Sequence, residues 1–457
     1  MSRIALCHFR VGETDGVSLE MAKWRAVLER IGHEVVYLAG SPGPAETIVI
    51  PELHYADAFN TKIVDNAYGR LTDYADEAAL REAIETVGGS IGRQVARAVE
   101  RHQLDVLVPN NIWSLGWNLP AGLGFLEAVE ASGVRAVGHH HDFHWERERY
   151  ARPTCGFVTE ALQRAFPPAL AGIRHVVINS LAREELRRRA GLAATIVPNV
   201  FDFDAAAWEP DSYNADLREA LGIGEHDILL LQATRVVERK GIEMAIELAA
   251  ELQRPEAKQR LAAGLWDGRS GDGRIVLLLA GMVECGADHL TALKRRAERL
   301  GVALVLAGDR VAAERGWWDG GKVYSLWDCY AHADLITYPS LLEGWGNQFL
   351  EALFARRPIA LFEYPVFVAD LLPHGFEVAS LGSETAGADA DGLHRAKPDR
   401  LRAAADTALR YLTDADYREL VTAANFERGR RLFGLQVLEP LLAGLVEKPN
   451  GAAITSP

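Results

Sequence analysis

Two carboxylates, Glu343 and Glu351, flank a turn that carries Gly344 and Gly346 in the stretch Tyr338-Pro339-Ser340-Leu341-Leu342-Glu343-Gly344-Trp345-Gly346-Asn347-Gln348-Phe349-Leu350-Glu351. The apolar run Asp334–Thr337 before it reads as a buried strand, and the segment through Leu353 and Phe354 reads as a helix. A strand end, a glycine-bearing turn and a helix start together form the place where an open α/β sheet binds ligands, because free NH groups and the positive end of the helix face the crevice there. The two glycines let backbone approach a phosphate or a sugar without a side chain in between. Glu343 then points into the crevice, and Glu351, about two helical turns into the helix, reaches the same ligand only at its far end.

A second set of reactive groups is Arg235-Val236-Val237-Glu238-Arg239-Lys240-Gly241, at the junction of the strand Ile228–Arg235 and the helix Gly241–Leu252. An arginine fork and a lysine point charge at that junction suit the separated oxygens of a pyrophosphate. The chain has 49 Lys plus Arg against 63 Asp plus Glu, a formal charge of −14, which argues against a nucleic-acid or anionic-membrane surface. An anionic ligand must be held by a few local cations.

The N-terminal half has its own concentrations. The strand Leu104–Asn111 ends in polar residues and is followed by Trp113, Trp117 and Asn118. Such amide and aromatic groups can contact sugars, and the tryptophans can equally be core filler. The strand Val134–Gly138 runs into His139-His140-His141-Asp142-Phe143-His144. Four histidines so close raise the question of a metal, but successive strand residues alternate faces and do not converge on one ion. The D-x-D triplets at Asp202, Asp389 and Asp414 stand at no convincing strand end, and no metal is implied. Gly12 and Gly16, after the first strand Arg3–His8, are spaced too widely for G-x-G-x-x-G and read as a turn.

The E-x7-E spacing after Pro339-Ser340, with R-x4-K-G about 100 residues before it, resembles the signature of the retaining glycosyltransferases of family 4, which have the GT-B fold. The resemblance implies that Glu343 contacts the donor sugar, Glu351 grips the ribose of the nucleotide, and Arg235 and Lys240 clamp the diphosphate. Gly344, Gly346, Asn347, Gln348 and Gly16 complete the implied donor-binding set. The segment His141-Asp142-Phe143-His144 is similar to the H-D-Y-H of retaining enzymes that make trehalose phosphate, which implies that His141 contacts the transferred sugar. Asn111, Trp113, Trp117, Asp142 and His144 are the implied acceptor contacts. The activity implied is transfer of a hexosyl unit, of glucose or mannose type, from a nucleotide-diphosphate sugar to a small hydroxylated acceptor, with retention and without a further cofactor. A phosphorylase of the same family and a silent sugar-nucleotide binder are the alternatives, while a Rossmann dehydrogenase lacks its glycine fingerprint. Departures near Arg356-Arg357, Asn347-Gln348 and Glu363-Tyr364-Pro365-Val366 line the donor pocket and leave the donor's identity open.

To position these groups, 457 residues must form two or three domains. The expected architecture is α/β, with two Rossmann-like domains facing across a cleft: residues 1–205 on the acceptor side and 215–430 on the donor side, joined by a linker near 203–220. His175–Ser180 marks the last strand of the first domain, Thr195–Asp202 the entry to the linker, and a final helix near 432–447 crosses back onto the first domain. Further strands are expected at Ile275–Ala280, Ala303–Ala307, Ile359–Phe362 and Phe376–Val378, and the segment from Gly451 to Pro457 reads as frayed. No apolar run approaches the ~20 residues of a membrane span, and the start lacks a signal peptide's core. Cys7, Cys155, Cys285 and Cys329 form no C-x-x-C pair, as in a reduced, cytoplasmic protein.

Overall fold

The computed structural model describes residues 1–12, 15–318 and 321–447, so the expectation for 451–457 lies outside the described residues. The chain forms two compact units, one of Met1–Val200 with Leu435 onward, the other of Phe201–Gly434.

The first unit is built on a seven-stranded sheet: β1 (Arg3–His8), β2 (Glu34–Ala39), β3 (Thr47–Val49), β4 (Val106–Pro109), β5 (Arg135–His140), β6 (Ile173–Val177) and β7 (Ala194–Ile196), in the order β3-β2-β1-β4-β5-β6-β7. All its pairings are parallel. The central strands are unbroken apolar runs because helices cover both faces. Strand order reverses between β1 and β4, which opens a crevice at their carboxyl ends. The helix Gly16–Arg30 is capped by Asp15, whose side chain accepts from the NH groups of Val17 and Ser18.

The segment Leu438–Val446 is a helix whose Leu438, Leu442 and Leu445 pack with Met21, Trp24 and Leu28 of this unit. Arg135 Nη1 donates to the Val446 carbonyl at 2.6 Å. The single helix expected near 432–447 is in fact interrupted: the helix Ala415–Phe433 stops at Gly434, where the backbone turns extended and bridges Phe201. Thr195 and Ile196, expected at the linker entry, belong to the edge strand β7.

The second unit carries β8 (Ile228–Gln232), β9 (Ile275–Leu279), β10 (Ala303–Leu306), the short strands β11 (Val311–Ala312), β12 (Gly316–Trp318) and β13 (Gly321–Ser325), then β14 (Leu335–Tyr338), β15 (Ile359–Leu361) and β16 (Ala379–Ser380). Its main sheet runs β10-β9-β8-β14-β15-β16, while β11, β13 and β12 form a small sheet of their own. Here the order reverses between β8 and β14. The strand expected at Phe376–Val378 is displaced to Ala379, because the amide of Asn425 takes both backbone groups of Glu377, at 3.0 and 2.7 Å. Those groups are then not available to a ladder.

Candidate functional site

In the second unit, the loops that follow β8 and β14 interlock at the point where strand order reverses. Gly241 has φ 59°, and a Cβ there would lie 2.2 Å from the Pro339 carbonyl oxygen, so only glycine permits the approach. Leu341 N donates to the Arg239 carbonyl at 2.9 Å, and Gln232 Nε2 to the Lys240 carbonyl at 3.1 Å. The lacing brings Lys240 Nζ onto Oε1 of Glu343. Arg239 Nη1 donates to Glu343 Oε2 at 3.2 Å and to the Leu342 carbonyl at 2.9 Å.

This is a buried pair, with 9% of each side chain exposed. Burial pushes the Glu343 carboxyl up, but Lys240 and Arg239 outweigh it and hold the group below the usual carboxylate range. Burial also pushes the Lys240 ammonium down, aided by Arg239 and Arg235 and only partly opposed by Glu343. Positive charge therefore exceeds negative around one carboxylate, which suits the site to an anionic ligand. Arg235 itself lies further out, half-exposed and paired with Glu284 at 2.7 Å. The expected Arg235–Lys240 clamp is thus rearranged: Arg239, which sequence reasoning passed over, is the arginine beside Lys240. Its signal in the sequence is its place directly before Lys240 and Gly241.

Gly346, with φ 118°, precedes the helix Asn347–Phe354. A Cβ here would stand 2.2 Å from Tyr364 Oη and 3.2 Å from Tyr338 Oη. Tyr364 Oη donates to the Trp345 carbonyl at 2.9 Å, so these rings fix the turn. Gly344 lies in this same turn and Asn347 opens the helix. Glu351 is half-buried, its Oε2 accepting from Tyr330 Oη at 2.7 Å. Gln348 departs from the expected ligand contact: it is buried, and its Nε2 donates to the Thr337 carbonyl of β14 at 3.4 Å.

In the first unit, the carboxyl ends of β1, β4 and β5 bring together a histidine cluster. His8 Nδ1 shares a hydrogen bond with the Asn110 carbonyl at 2.8 Å, and His141 Nε2 lies 3.2 Å from Asn110 Oδ1. Strand alternation separates the neighbours. His139 stacks on Trp24 at 4.3 Å and lies 4.0 Å from His141, whereas His140 turns the other way, 3.0 Å from His175 Nδ1. Burial pushes His141 down to about 3 and His8 to about 4, so both are neutral imidazoles near pH 7. Among the described residues no three His, Cys, Asp or Glu groups are arranged to hold a metal ion.

Two expected acceptor contacts are corrected. Trp113 is fully buried and its Nε1 donates to the Gly122 carbonyl at 3.0 Å, so it is core. Asn111, at φ 57°, is also buried, and its Oδ1 accepts from the NH groups of His141 and Asp142 at 2.8 and 3.3 Å. It shapes the turn that carries His141. Trp117 is half-buried against Tyr55, Asp142 is paired with Arg147 at 2.8 Å, and His144 N donates to the Ser114 carbonyl at 2.7 Å. Gly16 is the first residue of its helix.

No protein-family model matches the chain. It is 38% identical over 439 residues to a mannosylglucosylglycerate synthase of Petrotoga mobilis, covering 95% of this chain and 99% of the relative. It is 37% identical over 443 residues to a protein of the same name from Thermotoga maritima, covering 96% and 99%. Its fold is similar to that of a glycosyltransferase from Rickettsia africae, with a TM-score of 0.63 at 10% identity over 98% of this chain and 99% of that one. Among the described residues, no helix is long and apolar enough to cross a membrane.

Proposed function

The chain belongs to the mannosylglucosylglycerate synthase family, and on that premise we propose that it transfers a mannosyl unit from a nucleotide-diphosphate mannose to glucosylglycerate, with retention of configuration. It is a glycosyltransferase of the GT-B fold. The observation that carries the proposal is the surplus of positive charge around the buried Lys240–Glu343 pair at the reversal between β8 and β14.

A diphosphate leaving group is acidic and needs charge stabilisation more than a proton donor. Lys240 and Arg239, with Arg235 further out, supply it, aided by the NH groups that open the helix after Gly346. Glu343, kept ionised by the cations, orients the sugar hydroxyls and stabilises positive charge as it grows at the anomeric carbon. Glu351 holds the ribose. His141, a neutral imidazole, contacts a substrate hydroxyl. A leaving phosphate oxygen takes the acceptor's proton in a front-face displacement, so no protein base and no further cofactor is needed.

The test is to incubate the protein with glucosylglycerate and a panel of nucleotide-diphosphate hexoses and to assign the product's anomeric centre by NMR. The proposal requires transfer from a mannose donor to give the anomer of the donor's configuration. An inverted product, or turnover only when a disaccharide is supplied with inorganic phosphate, rejects it.

A further inference from the structure

Asn110, the residue after β4, touches two histidines of the first unit, and the chemistry of each contact fixes a proton. Its side-chain Nδ2 donates to the Cys7 and Val108 carbonyls at 3.3 and 3.0 Å. An amide turned the other way would set Oδ1 against two carbonyl oxygens, so the orientation is forced. Oδ1 can only accept, and His141 Nε2, 3.2 Å from it, must therefore carry a proton. Burial keeps this imidazole neutral, and a neutral imidazole has one N–H, so Nδ1 of His141 is bare. His8 is fixed in the same way by the Asn110 backbone: its Nδ1 donates to that carbonyl at 2.8 Å, which leaves its Nε2 bare. Asn110 itself is buried, and its own N–H donates to the Cys7 carbonyl at 2.8 Å.

We propose that Asn110 is a positioning residue of the transfer: it locks His141 in the form protonated at Nε2, so that the nitrogen offered to the substrate, Nδ1, accepts a hydrogen bond from a hydroxyl, an assignment that rests on the reading of His141 as a substrate contact. The ring is held from other sides as well. His141 N donates to Asn111 Oδ1 at 2.8 Å, and its imidazole lies 4.0 Å from that of His139, itself stacked on Trp24 at 4.3 Å. His141 also differs from its neighbours in access. Both ring nitrogens of His139 and Nδ1 of His140 lack partners among the described residues and are sealed in the core, whereas His141 is half-buried and can meet a ligand. A hydroxyl that donates to an imidazole carries more negative charge on its oxygen, which favours the positive charge growing in a reacting sugar ring. An N–H or an imidazolium in the same place would oppose it.

Long-range proton–nitrogen NMR spectra of histidine-labelled protein, assigned with the His141→Gln variant, read the tautomer directly. The wild type should show His141 with a proton on Nε2 and a bare Nδ1, and glucosylglycerate or nucleotide-diphosphate mannose should move the Nδ1 signal upfield as it accepts a hydroxyl. In rate measurements with the mannose donor, Asn110→Ala should lower kcat roughly 2- to 10-fold, the scale of one neutral hydrogen bond, with nucleoside-diphosphate affinity unchanged. Because Asn110 acts through His141, the same change should cost almost nothing further in the His141→Gln background. A merely structural role would give the full loss in both backgrounds. A proton on Nδ1 of the wild type, an Nδ1 signal that neither sugar substrate moves, or fully additive losses overturns the assignment alone, and the wild-type spectra decide even where Asn110→Ala does not fold. A wild type that transfers from no donor overturns the proposed reaction and this assignment with it.

Discussion

Lys240 and Glu343 lie 103 positions apart in sequence and share one buried ion pair. They meet because β8 and β14, the strands that precede their loops, are paired neighbours in the sheet, with Leu230 beside Leu335 and Leu231 beside Ile336. The pair sits among further cations, so the Glu343 carboxylate is held by more than its partner, while the Lys240 ammonium is opposed by Arg239 and Arg235.

Removing one member should be costly. Lys240→Met leaves the Glu343 carboxylate buried with Arg239 alone, and the expected loss is ~3 to 5 kcal/mol of stability, the range for a broken buried pair. The double variant Lys240→Met/Glu343→Gln removes both charges and should lose less than the two single changes summed. Denaturant unfolding of all four proteins measures this, and strict additivity would sink the coupling.

Nucleotide binding should depend on pH through Lys240. Burial and the neighbouring arginines place its folded pKa below the ordinary lysine value. A bound diphosphate favours the ammonium, so binding takes up a proton and affinity falls as pH rises through that lowered pKa. Calorimetry with a nucleoside diphosphate in two buffers of different ionisation enthalpy reads the uptake directly. Lys240→Ala should abolish it and weaken binding by ~1.5 to 3 kcal/mol. A pH-independent affinity up to the ordinary lysine range contradicts the assignment.

How much of this is legible in the sequence depends on the kind of contact. The strands β1, β4, β8, β9 and β14 announce themselves as short apolar runs because both faces of a parallel sheet are buried. The turns at Gly241 and Gly346 were legible as strand-to-helix junctions. Which junctions touch was not, since strand order is a property of the sheet and no local residue encodes that β14 lies beside β8. Hence the sequence presents Glu343 and Lys240 as separate contacts and does not single out Arg239. Trp113 was ambiguous for a related reason: its indole finds its acceptor at Gly122, on the helix Leu119–Ser132, rather than in the crevice. The late start of β16 depends on Asn425, 48 residues from Glu377.

The two glutamates should separate kinetically. Glu343, read as facing the reacting sugar, should matter most as positive charge develops, so Glu343→Gln should lower kcat strongly and leave nucleotide affinity nearly intact. Glu351, read as gripping the ribose, binds a part of the donor that changes little, so Glu351→Gln should raise donor KM more than it lowers kcat. Tyr330→Phe removes the hydroxyl that orients Glu351 and should shift KM the same way by a smaller factor. The roles would be reversed by the opposite kinetic pattern.

The last expectation concerns acid stability of the first unit, where His8, His139, His140, His141 and His175 are all pushed down by burial. A histidine whose folded pKa is depressed binds a proton in the unfolded chain at a pH where the native protein does not. Its native state is therefore fully favoured above the ordinary value of 6.5 and loses stability as pH falls from there toward the folded value. His139 isolates the effect: it stacks on Trp24, and among the described residues neither of its ring nitrogens has a hydrogen-bond partner. His139→Phe keeps an aromatic ring in the stack and gives up no hydrogen bond, so stability at pH 7.5 should change by less than ~1.5 kcal/mol, as for swaps of similar volume. Below pH 6 the variant should lose stability less steeply than the wild type, by about 1.4 kcal/mol per pH unit for the one proton removed from the balance. His140→Phe is the contrast, because it strips His175 of its 3.0 Å partner and should cost stability at pH 7.5 already. Chemical denaturation of the three proteins from pH 7.5 to 5 checks both, and parallel pH slopes for wild type and His139→Phe would show that this ring does not titrate on unfolding.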